Sequence, residues 1–165
     1  MTKQIIPEQL NKNVFDAIGK QWMLVTARKP DGSYNTMTAS WGGMGVLWNK
    51  NVFFCFVRPQ RFTHEFTEAS KEITLSFLPE QYRDALKTCG SKSGREADKI
   101  KETGLKPVFD GGFVYFEQAE LVVCGTKIYT DTIKEGGFVG LDPSKFYKDD
   151  YHTVYVCEIN KILQK

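Results

Sequence analysis

The chain is 165 residues long, 41% hydrophobic and 25% charged, enough to bury a continuous core and unlike a disordered or disulfide-dependent scaffold. A net charge of +2, with no run of five like-signed residues, gives little support to a nucleic-acid partner, which would normally show a basic stripe. No apolar run reaches spanning length and the start MTKQIIPEQL lacks a signal peptide's hydrophobic segment, so the expectation is one cytoplasmic domain over residues 1–165 with no membrane partner.

In chain order, residues 7–18 carry Leu10, Val14 and Ile18 at helical spacing between Pro7 and Gly19, which predicts a short amphipathic helix. Residues 21–28 read as a strand, Lys29-Pro30-Asp31-Gly32 as its turn, and residues 33–41 as the returning strand. In that returning strand Thr36, Thr38 and Ser40 alternate with Met37, Ala39 and Trp41, so one face is lined with hydroxyls and suits an anion-bearing ligand. Gly42, Gly43 and Gly45 follow as a turn whose missing Cβ atoms allow a flat ligand close to the backbone.

Residues 52–57 form a third strand, apolar on both faces as in a closed barrel. Arg58 and Arg61 bracket Pro59 at its exit, and Thr63 is placed to cap a brief helix over residues 63–69. Two guanidiniums and a hydroxyl at a strand exit make an anion clamp, although arginines at a strand end also occur simply solvated.

Residues 72–77 read as the next strand. Residues 79–89 form a helix opened by Pro79 and closed by Gly90; a second helix is predicted from a Ser93/Glu96 capping box to Gly104. Their connection, Cys89-Gly90-Ser91-Lys92-Ser93-Gly94-Arg95, has the hydroxyls, cations and glycines of a phosphate cradle, yet such a loop taken alone is more often an inter-helix linker. Strands return at residues 113–116, 119–130 and 151–162, with a loop holding Gly136, Gly137, Gly140 and Pro143 between the last two. Five to seven mostly antiparallel strands with helical inserts make a mainly β barrel.

Several chemistries are not indicated. The four cysteines form no CxxC pair and read as reduced, buried thiols, and His64 and His152 are the only histidines, so no metal is expected. GxGxxG, GxxxxGK[ST] and GxSxG are all missing.

The segments NTMTASWGGMGVLW, VRPQRFT, LSFLPEQYRDALKTCGSKSGREADKIKETGL and DYHTVYVCEI, in this order, resemble the flavin reductase-like proteins, nearest the flavoredoxin branch. That resemblance implies an antiparallel, Greek-key FMN-binding split β-barrel with helical insertions. It places Met37, Thr38, Ala39, Ser40 and Trp41 beside the isoalloxazine and ribityl chain, with Val57, Arg58, Arg61, Phe62 and Thr63 adding contacts. Cys89, Gly90, Lys92, Ser93 and Lys99 would complete the phosphate end, and His152 would stand near the reactive face. The implied activity is an FMN-dependent oxidoreductase using NADH or NADPH, working as a homodimer and passing electrons to a small molecule or protein. The alternatives are an FMN-bearing electron carrier reduced by a protein partner, and a non-redox ligand- or nucleic-acid-binding barrel. FMN chemistry needs no protein acid/base pair, in keeping with the lack of one here.

Overall fold

The computed structural model describes residues 2–165. Ten strands form, β1 (Lys3–Ile5), β2 (Met23–Arg28), β3 (Tyr34–Ala39), β4 (Gly42–Leu47), β5 (Lys50–Val57), β6 (Glu72–Phe77), β7 (Pro107–Asp110), β8 (Phe113–Phe116), β9 (Leu121–Thr132) and β10 (Thr153–Gln164). The helices are α1 (Val14–Asp16), α2 (Phe62–Ala69), α3 (Arg83–Ser91) and α4 (Lys99–Thr103). All pairings are antiparallel, and the main sheet runs β3-β2-β6-β9-β10-β5-β4, with β1 added beside the end of β10 and β7-β8 forming a separate hairpin.

Residue alternation curls this sheet around a core. Met23 and Val25, Phe53, Cys55 and Val57, Leu75 and Phe77, Tyr155 and Cys157 point to one interior and join a single buried cluster. A second cluster fills the outer face, where Leu24, Val122 and Cys124 meet Leu86 and Cys89 of α3 and Phe116 of β8. Strands β3 and β4 are consecutive in the chain but stand at opposite ends of the strand order, so the barrel is split there. Strand β6 returns beside β2, which is the Greek-key step.

Differences from the sequence reading have local causes. The predicted helix over residues 7–18 breaks into a 3-10 turn, Pro7–Gln9, then α1 and a π turn, Ala17–Gln21, because Asn13 takes the backbone N–H groups of Phe15 and Asp16 and restarts the helix. The glycine segment is not a turn: it is β4, and it forms a two-residue hairpin with β5 in which Trp48 and Asn49 both have positive φ, 52° and 58°. Trp48 therefore sits exposed at a hairpin tip. Helix α3 runs through Gly90 to Ser91, and α4 starts late because Asp98 caps it by accepting the Lys101 N–H, while the Ser93 hydroxyl accepts that of Arg95 in the turn before it. Gly104, at φ 66°, ends α4 as expected.

Candidate functional site

Two adjoining clefts open where the barrel splits. One, about 210 Å³, is lined by Met37, Thr38, Ala39, Ser40 and Trp41 at the end of β3, by Phe56, Arg58 and Arg61 at the exit of β5, and by His152 before β10. The other, about 100 Å³, is bounded by Arg61, Phe62 and Thr63 on one side and by Lys92, Ser93, Gly94 and Lys99 on the other. Arg61 belongs to both, so the predicted β3, arginine-turn and glycine-loop segments converge on one groove.

The smaller end holds one buried and one half-buried cation. Lys99 is only 4% exposed, and its ammonium donates to the carbonyls of Thr36 at 2.5 Å and Cys89 at 3.4 Å. The half-buried Arg61 donates from Nη1 to Gly90 O at 2.7 Å and from Nη2 to Cys89 O at 3.4 Å. Among the described residues neither cation has a carboxylate partner. Burial pulls both below their ordinary values, and the neighbouring Arg61 charge lowers Lys99 further. Two desolvated cations held only by carbonyls leave local positive charge uncompensated, which a phosphate or carboxylate would offset. Thr63 and Ser93 bring hydroxyls to this pocket.

The larger end is aromatic, with Arg58 and Arg61 at its margin. Rings of Trp41 and His152 lie 5.2 Å apart, Phe56 stands 6.2 Å from His152, and Phe146 meets Trp41 edge-on at 6.2 Å. Arg58 is not free to clamp an anion: it pairs with Asp150 at 2.5 Å and donates to Phe146 O at 2.8 Å. Asp150, bonded also to Lys148 N and Gln60, is held far below the usual carboxylate range.

His152 is 8% exposed, and its Nδ1 lies 3.0 Å from the Tyr147 hydroxyl. Burial, reinforced by the Arg58 charge, pushes its pKa down to about 4. The imidazole is thus neutral at pH 7. A base whose folded pKa lies below its unfolded value binds fewer protons folded than unfolded, so stability is full above about pH 6.5 and falls as pH drops towards 4. Thermal melts should show the wild type losing about 2 kcal/mol more than His152→Gln across that window. Parallel stability curves for the two proteins would assign the acid lability elsewhere.

Some predicted contacts serve the protein instead. Thr36 is buried and shares a 2.8 Å hydrogen bond with Thr26, while Thr38 Oγ1 donates to Leu86 O at 2.5 Å, so most of the hydroxyl face is taken by packing. Thr63 does not cap α2, which begins at Phe62 behind Arg61; its hydroxyl accepts from Asn35 Nδ2 at 2.8 Å. Val57 points into the barrel core and Cys89 into the outer core, and neither side chain lines a cleft; Cys89 contributes its carbonyl. Gly90 packs on Thr38, and Lys92 lines the pocket while paired with Glu102 at 2.5 Å. The close approach at the glycines belongs to Phe54: a Cβ at Gly43 would stand 2.3 Å from its ring.

Sequence reasoning missed Asn35, Phe56 and Gln60 in these walls. Phe56 was legible as the residue alternating outward from Cys55 and Val57. A Cβ on Gly94 would lie 2.4 Å from Asn35 Oδ1, a long-range contact with no local signal. All four cysteines are free and buried, with Cys55 and Cys124 pushed up to about 12 by burial. Among the described residues no cluster of three metal-ligating side chains occurs, and no helix is long and apolar enough to cross a membrane.

Solved structures share this fold at low identity. An FMN-binding protein from Thermus thermophilus with bound p-hydroxybenzaldehyde matches with a TM-score of 0.68 at 19% identity, over 98% of this chain and 78% of that one. The flavoredoxin of Desulfovibrio vulgaris (Miyazaki F) gives 0.68 at 18%, over 96% and 75%. An NADH:FAD oxidoreductase of Streptomyces globisporus C-1027 gives 0.65 at 14%, over 88% and 75%. No curated protein sequence matches the chain. Residues 15–163, nearly the whole barrel, match the family described as the flavin reductase like domain, and the chain belongs to that flavin reductase-like family.

Proposed function

We propose that the groove binds FMN and that the protein is an FMN-dependent NAD(P)H oxidoreductase. The observation that carries this reading is the Arg61–Lys99 pair, two desolvated cations without a carboxylate among the described residues, with Arg61 also bordering an aromatic cleft. FMN has that polarity, a phosphate dianion at one end and a flat ring at the other. The residues at hand fit it: Arg61, Lys99, Thr63 and Ser93 for the phosphate, and the β3 segment from Met37 to Trp41 for the ring. Bound FMN would take a hydride from a reduced nicotinamide and pass its electrons to an acceptor. The protein's part is to hold the ring, keep one face open and line that face with aromatic side chains.

Names of structural neighbours support two versions of this chemistry, one an NADH:FAD oxidoreductase and the other a flavoredoxin. Anaerobic titration separates them. The purified protein is expected to take up FMN, turn yellow and bleach with NADH or NADPH. Flavin that neither nicotinamide reduces would favour the protein-reduced carrier, and a protein that binds no FMN would end both versions. Ser93→Ala should weaken FMN binding only modestly, by about 1 kcal/mol, as one neutral hydrogen bond is lost.

A homodimer accompanies this reading. Beside the flavin cleft lies an open depression of about 970 Å³ lined by Leu10, Val14, Phe15, Trp41, Met44 and Phe54, and Phe15 is 89% exposed. Such an apolar surface favours a partner over water. Sedimentation should return the mass of two chains, and Phe15→Asp should shift it to one; a wild-type monomer at micromolar concentration would sink the pairing.

A further inference from the structure

We propose that Tyr147 is a positioning residue: its hydroxyl donates to Nδ1 of His152 and holds the imidazole as the tautomer whose Nε2–H opens on the aromatic cleft. The donor so fixed is neutral and suits a carbonyl oxygen or ring nitrogen on a flat, uncharged ring. The inference rests on the proposed flavin site for the identity of the ligand in the cleft, but not for the tautomer itself.

Three observations carry it. First, Nδ1 of His152 is 3.0 Å from the Tyr147 hydroxyl, and that is the only protein hydrogen bond the ring makes among the described residues. A phenol O–H is a much stronger acid than the N–H of neutral imidazole, so the stronger arrangement has the hydroxyl donating and Nδ1 accepting. The second ring nitrogen must then carry the proton. Second, Nε2 is not sealed inside the protein. The one buried side-chain polar atom without a partner among the described residues is Ser76 Oγ, and His152 contributes to the cleft wall. Its free nitrogen therefore reaches the space where a ligand would lie.

Third, Tyr147 is itself immobilised. Its ring stacks on Tyr151 at 4.7 Å, lies 6.1 Å from Phe138, and carries the Arg58 guanidinium 5.3 Å from its centroid. Arg58 is pinned in turn by Asp150, so a loop that contains neither wall of the flavin cleft orients the histidine that does line it. With Arg58 neutralised by Asp150, the His152 end of the cleft offers an uncharged donor next to Trp41 and Phe56, while Arg61 stands at the border with the smaller pocket. That combination suits an uncharged aromatic or conjugated carbonyl compound, including the carboxamide-bearing ring of a nicotinamide.

The test uses ring nitrogen NMR of the 15N-histidine-labelled full chain, without and with FMN. Only His64 and His152 contribute signals, and His152→Gln assigns them by loss of one set. Wild type is expected to show His152 as the Nε2–H tautomer, and Tyr147→Phe, which keeps the stacked ring, should shift it to a mixture. In the same variant the FMN dissociation constant should stay within about twofold while reduction by nicotinamide slows about tenfold, the factor expected for one misdirected hydrogen bond. A protonated Nδ1 in the wild type would overturn the proposal even if FMN binds. An unchanged tautomer in Tyr147→Phe would overturn it as well. Failure of FMN to bind would strike the flavin reading and leave the tautomer result standing by itself.

Discussion

Lys99→Met and Arg61→Gln are each expected to raise the FMN dissociation constant thirty- to hundredfold while leaving the unliganded protein close to wild-type stability. The affinity loss follows from removing one charge-assisted contact to a phosphate in a desolvated pocket, worth about 2–3 kcal/mol. The stability term is a balance of opposites. Lys99 is 4% exposed with no carboxylate partner, so folding carries the penalty of a buried charge, and methionine relieves it. Against that, the Thr36 and Cys89 carbonyls lose their donor, at about 1–3 kcal/mol. The two nearly cancel, and a net change of about 1 kcal/mol or less is expected in urea melts.

The two variants should not add. Arg61 and Lys99 share the Cys89 carbonyl and repel one another across it, so removing either relieves the other. Flavin titrations of the singles and the double, read as a cycle, should give a combined loss below the sum. Wild-type FMN affinity in Lys99→Met would detach the phosphate from this pocket. A variant that unfolds would instead make Lys99 a structural residue whose ammonium exists to satisfy the free carbonyl edge of β3.

How far the sequence shows this site depends on what each residue does locally. Arg61 was legible because two arginines and a hydroxyl at a strand exit read as an anion clamp. Lys99 carried no such signal. In the sequence it sits among Asp98, Lys101 and Glu102 on what reads as a solvated helix, and only the docking of α4 against β3 buries it. The resemblance singled it out where periodicity did not.

Arg58 illustrates the reverse failure. Spacing put it in a clamp with Arg61, but Asp150 lies 92 residues away and no local rule could pair them. Strands were legible where apolar alternation was strong, as in β2, β5 and β9, and lost where short pieces depend on a distant partner, as β1 on β10. Glycines misled in one particular way. Gly42 and Gly43 suggested room for a ligand, whereas the room is filled by Phe54, whose carbonyl lies against Gly42 and whose ring covers Gly43.

The same device, deeper in the barrel, sets the largest stability effect expected of any small substitution here. Gly125 lies in β9 between Ile73 of β6 and Ile159 of β10, where β10 shifts register on either side. A Cβ there would meet Phe53 Cε1 at 2.5 Å, Cys157 Cβ at 2.9 Å and the Glu158 carbonyl at 2.9 Å. Phe53 is fully buried, and the carbonyl belongs to paired backbone, so no flexible end can move aside. Gly125→Ala is therefore expected to destabilise the fold by about 3 kcal/mol, a drop of about 6–12 °C in Tm for a domain of this size. Gly45→Ala, with nothing within 4 Å of its Cβ, is the control and should change stability by about 0.5 kcal/mol or less. Phe53→Leu on the Gly125→Ala background should recover part of the loss, because it shortens one of the three obstructions. Phe53 and Phe56 point to opposite faces of β5, so the folded fraction of Gly125→Ala is expected to keep its FMN affinity. Weakened flavin binding at unchanged stability would show that the crowding around Gly125 shapes the cleft through β5, and the barrel interior would then be part of the site and not only its support.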